Sequence, residues 1–187
     1  MTDVLQPAVL PTVLVLAAGR GERFAASGGT THKLQALLAG KPVLQHVLDA
    51  VAQSGLPHHV VHADPSRPGM GDSIAAGVRA TADAAGWLVL PGDLPLVQPA
   101  TLRAVAKALG QHAVVVPVYQ GERGHPVGFA AECGAQLMAL GGEQGAAPVV
   151  KVLGAKLLAV DDVGVVTDVD TVADLQRAEL SLQAGRA

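Results

Sequence analysis

Several short segments of this 187-residue chain carry side chains whose types and spacing suit phosphate and metal chemistry. The first is Val13-Leu14-Val15-Leu16-Ala17-Ala18-Gly19-Arg20-Gly21-Glu22-Arg23, with Lys33 downstream. An apolar run empties into small residues and glycine, and cations follow. Glycine has no Cβ, so amides in such a loop can close on phosphate oxygens while Arg23 and Lys33 supply fixed positive charge. The second is Pro91-Gly92-Asp93-Leu94-Pro95, after the run Trp87-Leu88-Val89-Leu90. Asp93 then stands at the carboxyl end of an expected strand, where ligands of open α/β sheets gather. A carboxylate in that place suits Mg²⁺, which takes one or two carboxylates together with substrate phosphate oxygens. A structural glycine turn and a solvated turn aspartate are the plainer readings of each segment alone. Together the two segments favour a polyphosphate site.

Three further segments bear on chemistry. Asp168 and Asp170 leave an apolar stretch two residues apart, a spacing that turns both toward one side of an extended segment. Asp170-Thr171 equally suits the cap of the helix expected next. In Gly69-Met70-Gly71-Asp72-Ser73, a loop runs into a helix whose first amides and Ser73 can meet a nucleotide, or whose Asp72 or Ser73 simply caps it. Gly121-Glu122-Arg123-Gly124-His125-Pro126-Val127-Gly128-Phe129 combines a flexible turn, potential donors or cations and a stiffened exit. His58-His59-x-x-His62 reads as strand rather than zinc site, because it lacks a helical His-x-x-x-His spacing and a third ligand. Cys133, the single cysteine, excludes an internal disulfide, suits a reducing cytoplasm and reads as a buried structural thiol.

These residues need a frame to hold them. Strands are expected at residues 13–17, 58–62, 87–90, 113–118 and 156–160, and helices at 42–54, 72–84, 99–109, 132–140, 147–153 and 171–182. In the first of those helices Val43, Leu44, Val47, Leu48 and Val51 recur at three- and four-residue spacing, with Pro42 to open and Gly55 to close it. Alternation of strand and helix predicts an α/β domain, a mainly parallel sheet with helices on both faces. The domain is expected over residues 13–187, after a flexible lead-in at residues 1–12. Hydrophobic residues make up 50% of the chain but aromatics only 2%, so the core must be built from Ala, Val and Leu. A net charge of −3 argues against a general nucleic-acid binder, which needs a basic face to displace counterions. No run reaches the ~20 apolar residues of a membrane span, and the first residues lack a basic secretory lead. A cytoplasmic protein is the expectation.

Leu16-Ala17-Ala18-Gly19-x-Gly21-x-Arg23 with its later lysine, Pro91-Gly92-Asp93-Leu94-Pro95 and Gly124-His125-Pro126-Val127 together resemble the nucleotidyltransferases that complete the molybdenum cofactor, its cytidylyltransferases above all. The resemblance runs from about residue 13 to about residue 175. It implies a single-domain, Rossmann-like three-layer fold and transfer of CMP from CTP to the phosphate of molybdenum-molybdopterin, releasing pyrophosphate. On it, Arg23, Lys33 and Asp93 are catalytic, and Asp93 and Asp170 hold Mg²⁺ from two strand ends. Ala17, Ala18, Gly19, Gly21, Gly71, Ser73 and Gly77 contact the nucleotide, with Gly77 keeping a turn thin. His125 and Pro126 lie near the acceptor, and a recipient molybdoenzyme or its chaperone is the implied protein partner.

Two departures stand out. Nine residues separate Arg23 from Lys33, and this long insert is expected to be mobile, bringing Lys33 to the phosphates only when substrate closes the loop. In Gly141-Gly142-Glu143-Gln144-Gly145-Ala146-Ala147, alanine stands where the resembled segment ends in arginine. Alternatives are a guanylyltransferase of the same cofactor, a sugar-phosphate nucleotidyltransferase, or a non-catalytic protein that delivers the cofactor. Ala18, at a place where the guanylyl branch carries glycine, favours cytidine, and Asp93 with two loop cations favours catalysis over delivery.

Overall fold

The computed structural model describes residues 10–66 and 69–184. Strand β1 (Thr12–Ala17) leads into helix α1 (Glu22–Ala26), a 3-10 turn (Lys33–Gln35) and the small hairpin β2 (Leu37–Leu38) and β3 (Lys41–Pro42). Then come α2 (Val43–Ser54), β4 (His58–His62), α3 (Met70–Ala80), β5 (Gly86–Pro91) and α4 (Pro99–Ala108). The remainder is β6 (Val114–Tyr119), β7 (Glu122–Arg123), β8 (Val127–Ala130), α5 (Gly134–Met138), α6 (Ala147–Leu153), β9 (Lys156–Ala159) and α7 (Val172–Ala184). Of the expected lead-in, residues 1–9 lie outside the described residues, whereas Pro11 and Thr12 are buried and Thr12 already opens β1.

The central 7-stranded sheet runs β4-β1-β5-β8-β6-β7, with β9 also paired to β6. β4, β1, β5, β6 and β9 point one way, and β8 and β7 run against them. The sheet is therefore mainly parallel, as the alternation of elements predicts. Successive residues of β1 go to opposite faces. Val13 and Val15 join α2 and α4 through Val47, Val51, Leu102 and Val105, while Leu14 and Leu16 join α3 and α5 through Ile74, Val78 and Leu137. Each such aliphatic side chain contributes about 1.5–3 kcal/mol when fully buried. A third cluster of Phe24, Leu34, Leu38, Val43, Val169 and Ala178 seats α1 and α7 at the margin. No helix of the described residues is long and apolar enough to cross a membrane.

Two expectations are corrected here. The helix over 132–140 is instead a 3-10 turn (Ala131–Cys133) followed by the single short turn of α5. Residues 127–130, read as the exit of a loop, form β8 in the middle of the sheet. A Cβ on Gly128 would come within 2.8 Å of Val105 Cγ1, so this strand carries glycine to let α4 lie close.

Candidate active site

β1 ends where the apolar run ends, and residues 18–21 then form one wall of a cavity of about 690 Å³ at the carboxyl ends of β1 and β5. Gly21 turns the chain into α1 with φ of 69°, a left-handed conformation that glycine adopts without steric cost. The neighbouring wall is the turn after β5. There the Gly92 N–H donates to the Leu16 carbonyl at 2.9 Å, and a Cβ on Gly92 would stand 3.0 Å from that oxygen. The two strands thus stay in register up to Asp93. The Asp93 carbonyl in turn accepts from Val169 N–H at 2.9 Å, which draws the segment between the 3-10 turn Val163–Val166 and α7 alongside; Asp170 thus stands on this irregular segment rather than at a second strand end.

Asp170 is placed by that pairing. Val169 is fully buried, and Asp168 and Asp170 on either side of it both line the cavity. The cap of α7 is Thr171 with Asp174: Thr171 N–H and hydroxyl donate to Asp174 at 2.7 Å each, and Asp174 N–H returns a bond to the Thr171 hydroxyl at 3.2 Å. This reciprocal box, with aspartate in the glutamate position, leaves the Asp170 carboxylate uncommitted to capping.

Lys33 Nζ sits between the two carboxylates, 2.6 Å from Asp93 Oδ2 and 2.8 Å from Asp170 Oδ1. Arg23, largely exposed, takes the other Asp170 oxygen at 2.6 Å. Burial works against the Lys33 charge, but Asp93 and Asp170 outweigh it and hold its pKa above the ordinary lysine value. Burial and then the Asp170 charge push the Asp168 carboxyl up. Asp93 Oδ1 is buried and has no partner among the described residues. A lone carboxylate oxygen beside a second carboxylate fits a hard divalent cation, whose binding would satisfy an acceptor that is otherwise costly to bury.

The insert after Arg23 corrects an expectation. Phe24 is 2% exposed, Ser27 Oγ donates to the Phe24 carbonyl at 2.8 Å, and Val172 N–H donates to Ser27 Oγ at 2.9 Å. The segment is folded against the start of α7, and Lys33 already lies against Asp93 and Asp170.

The opposite wall comes from β7 and the break before β8. Val118 faces Arg123 and Val115 faces Gly128, with the Gly124 N–H donating to the Pro117 carbonyl at 2.8 Å. Val116 alone therefore spans His125, Pro126 and Val127, a bulge that swings His125 to the cavity. His125 N–H is held by the Val165 carbonyl at 2.9 Å. Burial pulls the His125 pKa below its ordinary value, with Asp93 acting in the other direction.

Ala18, Gly19, Gly21, Arg23, Lys33, Ser73, Asp93, His125 and Asp170 share this cavity. Ala17, Gly71, Gly77 and Pro126 do not line it. Gly77 lies inside α3, where a Cβ would come within 2.8 Å of Val61 and 3.2 Å of Leu14, so it packs helix on sheet rather than thinning a turn. Gly71 N–H donates to the Gly142 carbonyl at 2.8 Å, and Asp72 accepts from Gly142 N–H at 3.0 Å instead of capping its own helix. Ala147, the position without arginine, is exposed at the start of α6 and lines no part of the cavity. His58, His59 and His62 lie on β4. Cys133 is buried, its Sγ 3.4 Å from the Ala113 carbonyl and its thiol pKa pushed up by burial, the state of an unreactive cysteine. Arg20, Glu122, Arg123 and Glu143 also line the cavity without having been assigned to it from the sequence. For Arg123 the clue was present, one residue before Gly124-His125-Pro126.

A three-layer α/β fold with a glycine loop, two cations and two carboxylates gathered in one cavity is that of a nucleotidyltransferase. The chain belongs to the family of the MobA-like NTP transferase domain, whose model matches residues 13–67 and 54–163. Rv0371c of Mycobacterium tuberculosis H37Rv is similar at 27% identity and a TM-score of 0.77, covering 94% of this chain and 100% of that one. A structure of Rv0371c in complex with manganese gives 26% identity and 0.71, covering 92% and 99%. The bifunctional protein GlmU of Xanthomonas campestris pv. campestris (strain B100) is 33% identical over 139 residues, 63% of this chain but 29% of that protein. The chain thus spans less than a third of that relative's length. The molybdopterin-guanine dinucleotide biosynthesis protein A from Archaeoglobus fulgidus shares the fold at 17% identity and a TM-score of 0.67, covering 92% of this chain and 99% of that one.

Proposed function

We propose that this protein transfers CMP from CTP to the terminal phosphate of molybdopterin, with molybdenum already bound. An oxygen of that phosphate attacks the α-phosphorus in line; the new P–O bond forms as the bond to the β-phosphate breaks, and pyrophosphate leaves. The acceptor is already anionic near neutral pH, so no general base is required. Positioning and electrostatics then supply the acceleration. Backbone amides of residues 18–21 cradle the leaving phosphates, and Lys33 and Arg23 neutralise the charge that collects there. Ser73, at the first turn of α3, lies toward the nucleoside. His125 faces the acceptor side, where its depressed pKa keeps the ring a neutral donor or acceptor at pH 7. Asp93, with Asp170 beside it, would hold Mg²⁺, and a bound Mg²⁺ neutralises charge on the reacting phosphates.

The observation that carries nucleotidyl transfer is the partly buried Lys33–Asp93–Asp170 cluster set against the glycine loop. A delivery protein would need neither this cluster nor an unpartnered carboxylate oxygen within it. Support for cytidine and molybdopterin comes from Ala18 and from the Gly124-His125-Pro126 bulge. One methyl group in a pocket discriminates by only ~1–3 kcal/mol, so other contacts near Ser73 must add to it. The test is competition between CTP and GTP with molybdenum-molybdopterin as acceptor, reading the product by mass. A cytosine dinucleotide is expected; a guanine dinucleotide would reassign the base, and no dinucleotide would remove the acceptor.

A further inference from the structure

We propose that His32 is a positioning residue that ties the glycine loop to the turn bearing Lys33, so that both halves of the phosphate site are set before substrate arrives. This rests on the reading of residues 18–21 and Lys33 as that site. His32 Nε2 lies 2.8 Å from the Gly19 carbonyl, and Nδ1 lies 3.3 Å from Leu34 N–H. A carbonyl only accepts and an amide N–H only donates, so the proton is on Nε2 and the lone pair on Nδ1. One ring thereby caps the 3-10 turn (Lys33–Gln35) and holds the loop.

The bond to Gly19 also aims the loop. In a planar trans peptide the C=O and the following N–H point in opposite directions. With the Gly19 carbonyl turned to His32, the Arg20 N–H points away from His32, which itself does not line the cavity. The fit is close: a Cβ on Gly21 would lie 3.5 Å from the His32 ring and 3.5 Å from Lys33 Cγ, and one on Gly19 would lie 3.7 Å from Lys33 Cε. The insert before Lys33 thus acquires a role. It is anchored at Phe24 and Ser27 and ends in the residue that joins the two phosphate-binding elements. A loop without that tie must be ordered at the moment of binding, which lowers affinity.

The two bonds can be separated by substitution in the full chain. In His32→Gln the side-chain amide can still donate to Gly19 but no longer caps Leu34; in His32→Asn the short carbonyl keeps the cap and loses Gly19; His32→Ala loses both. Calorimetric titration with CTP and with CMP, both in Mg²⁺, reads the result. His32→Ala is expected to bind CTP about tenfold more weakly, the equivalent of one net hydrogen bond, and CMP as the wild type does. His32→Gln should recover most of the CTP affinity and His32→Asn little of it. Because His32 is exposed, melting midpoints should stay together; if the Ala variant does not fold, the Gln and Asn pair decides alone. Equal CTP affinity in all variants, or equal losses for CTP and CMP, would overturn the positioning role while the nucleotide reading stands. A wild-type protein that binds no nucleoside triphosphate would overturn that reading and the role of His32 with it.

Discussion

The two walls of the cavity are built differently. The wall carrying residues 18–21, Lys33, Asp93 and Asp170 is cross-braced by backbone bonds from Gly92 to Leu16 and from Val169 to Asp93, and by a lysine shared between two carboxylates. The wall carrying β7 and His125 is held by the short β6–β7 ladder, a bulge and the backbone bonds from Gly124 to Pro117 and from His125 to Val165, and Glu122 and Arg123 at its rim are exposed. A braced wall suits a polyphosphate, which fixed charges and fixed amides bind without reorganising. A looser rim suits an acceptor that must enter and leave. On the proposed function, affinity for nucleotide and choice of acceptor belong to separate elements, and substitutions should separate them.

The largest effect is expected at Asp93. Asp93→Asn keeps the shape and removes the charge, so turnover should fall by about 10²–10³ or more while the circular dichroism spectrum is retained. Wild-type turnover by the folded variant would take Asp93 out of the reaction. Next, Lys33→Ala leaves two carboxylates facing each other in a partly buried site, and denaturant unfolding should show a loss of about 3 kcal/mol. It should also weaken CTP binding more than CMP binding; equal losses would place Lys33 away from the leaving phosphates. The Lys33 contribution is complete below the ordinary lysine pKa and is lost only as pH rises through the raised folded value, so the stability difference should be flat around pH 7 and shrink in strong alkali.

Much of the braced wall was legible in the sequence. Its strands β1 and β5 are apolar runs and its loop is marked by glycine, so Asp93 at the end of β5 was readable from the residues; Asp170 beside it came only from the resemblance, and Lys33 lying between the two without substrate was not expected. The looser wall was not legible. Val127-Gly128-Phe129-Ala130 is too short for periodicity to reveal a strand, and its pairing with β5 is set by residues some 40 positions away. The cap of α7 was ambiguous because Asp170, Thr171 and Asp174 all have capping chemistry, and only the hydrogen bonds choose Thr171 and Asp174. His32 carried no signal at all, since one partner, Gly19, lies 13 residues before it on the far side of the insert, and only the fold brings the two together.

Smaller effects sharpen the contrast. Asp174→Ala removes the cap that orients Asp170 and should cost about 1 kcal/mol in thermal unfolding. If stability and CTP binding are both unchanged, the cap does not position the braced wall. His125→Ala should raise the KM for the acceptor and leave that for CTP nearly unchanged; the reverse pattern would assign His125 to the nucleotide. His125 has a depressed folded pKa, so its contribution to stability is present above about pH 6.5 and is lost as pH falls through the folded value. Urea midpoints at several values between about pH 7 and pH 5 should accordingly fall less steeply in His125→Ala than in the wild type.

A crystal structure with CTP and Mg²⁺ tests the division most directly. The β- and γ-phosphates should lie against residues 18–21 and Lys33, the metal on Asp93, the base toward Ser73, and the α-phosphorus open to the side of His125. A triphosphate lying along β7 and His125, or a metal bound away from Asp93, would contradict it.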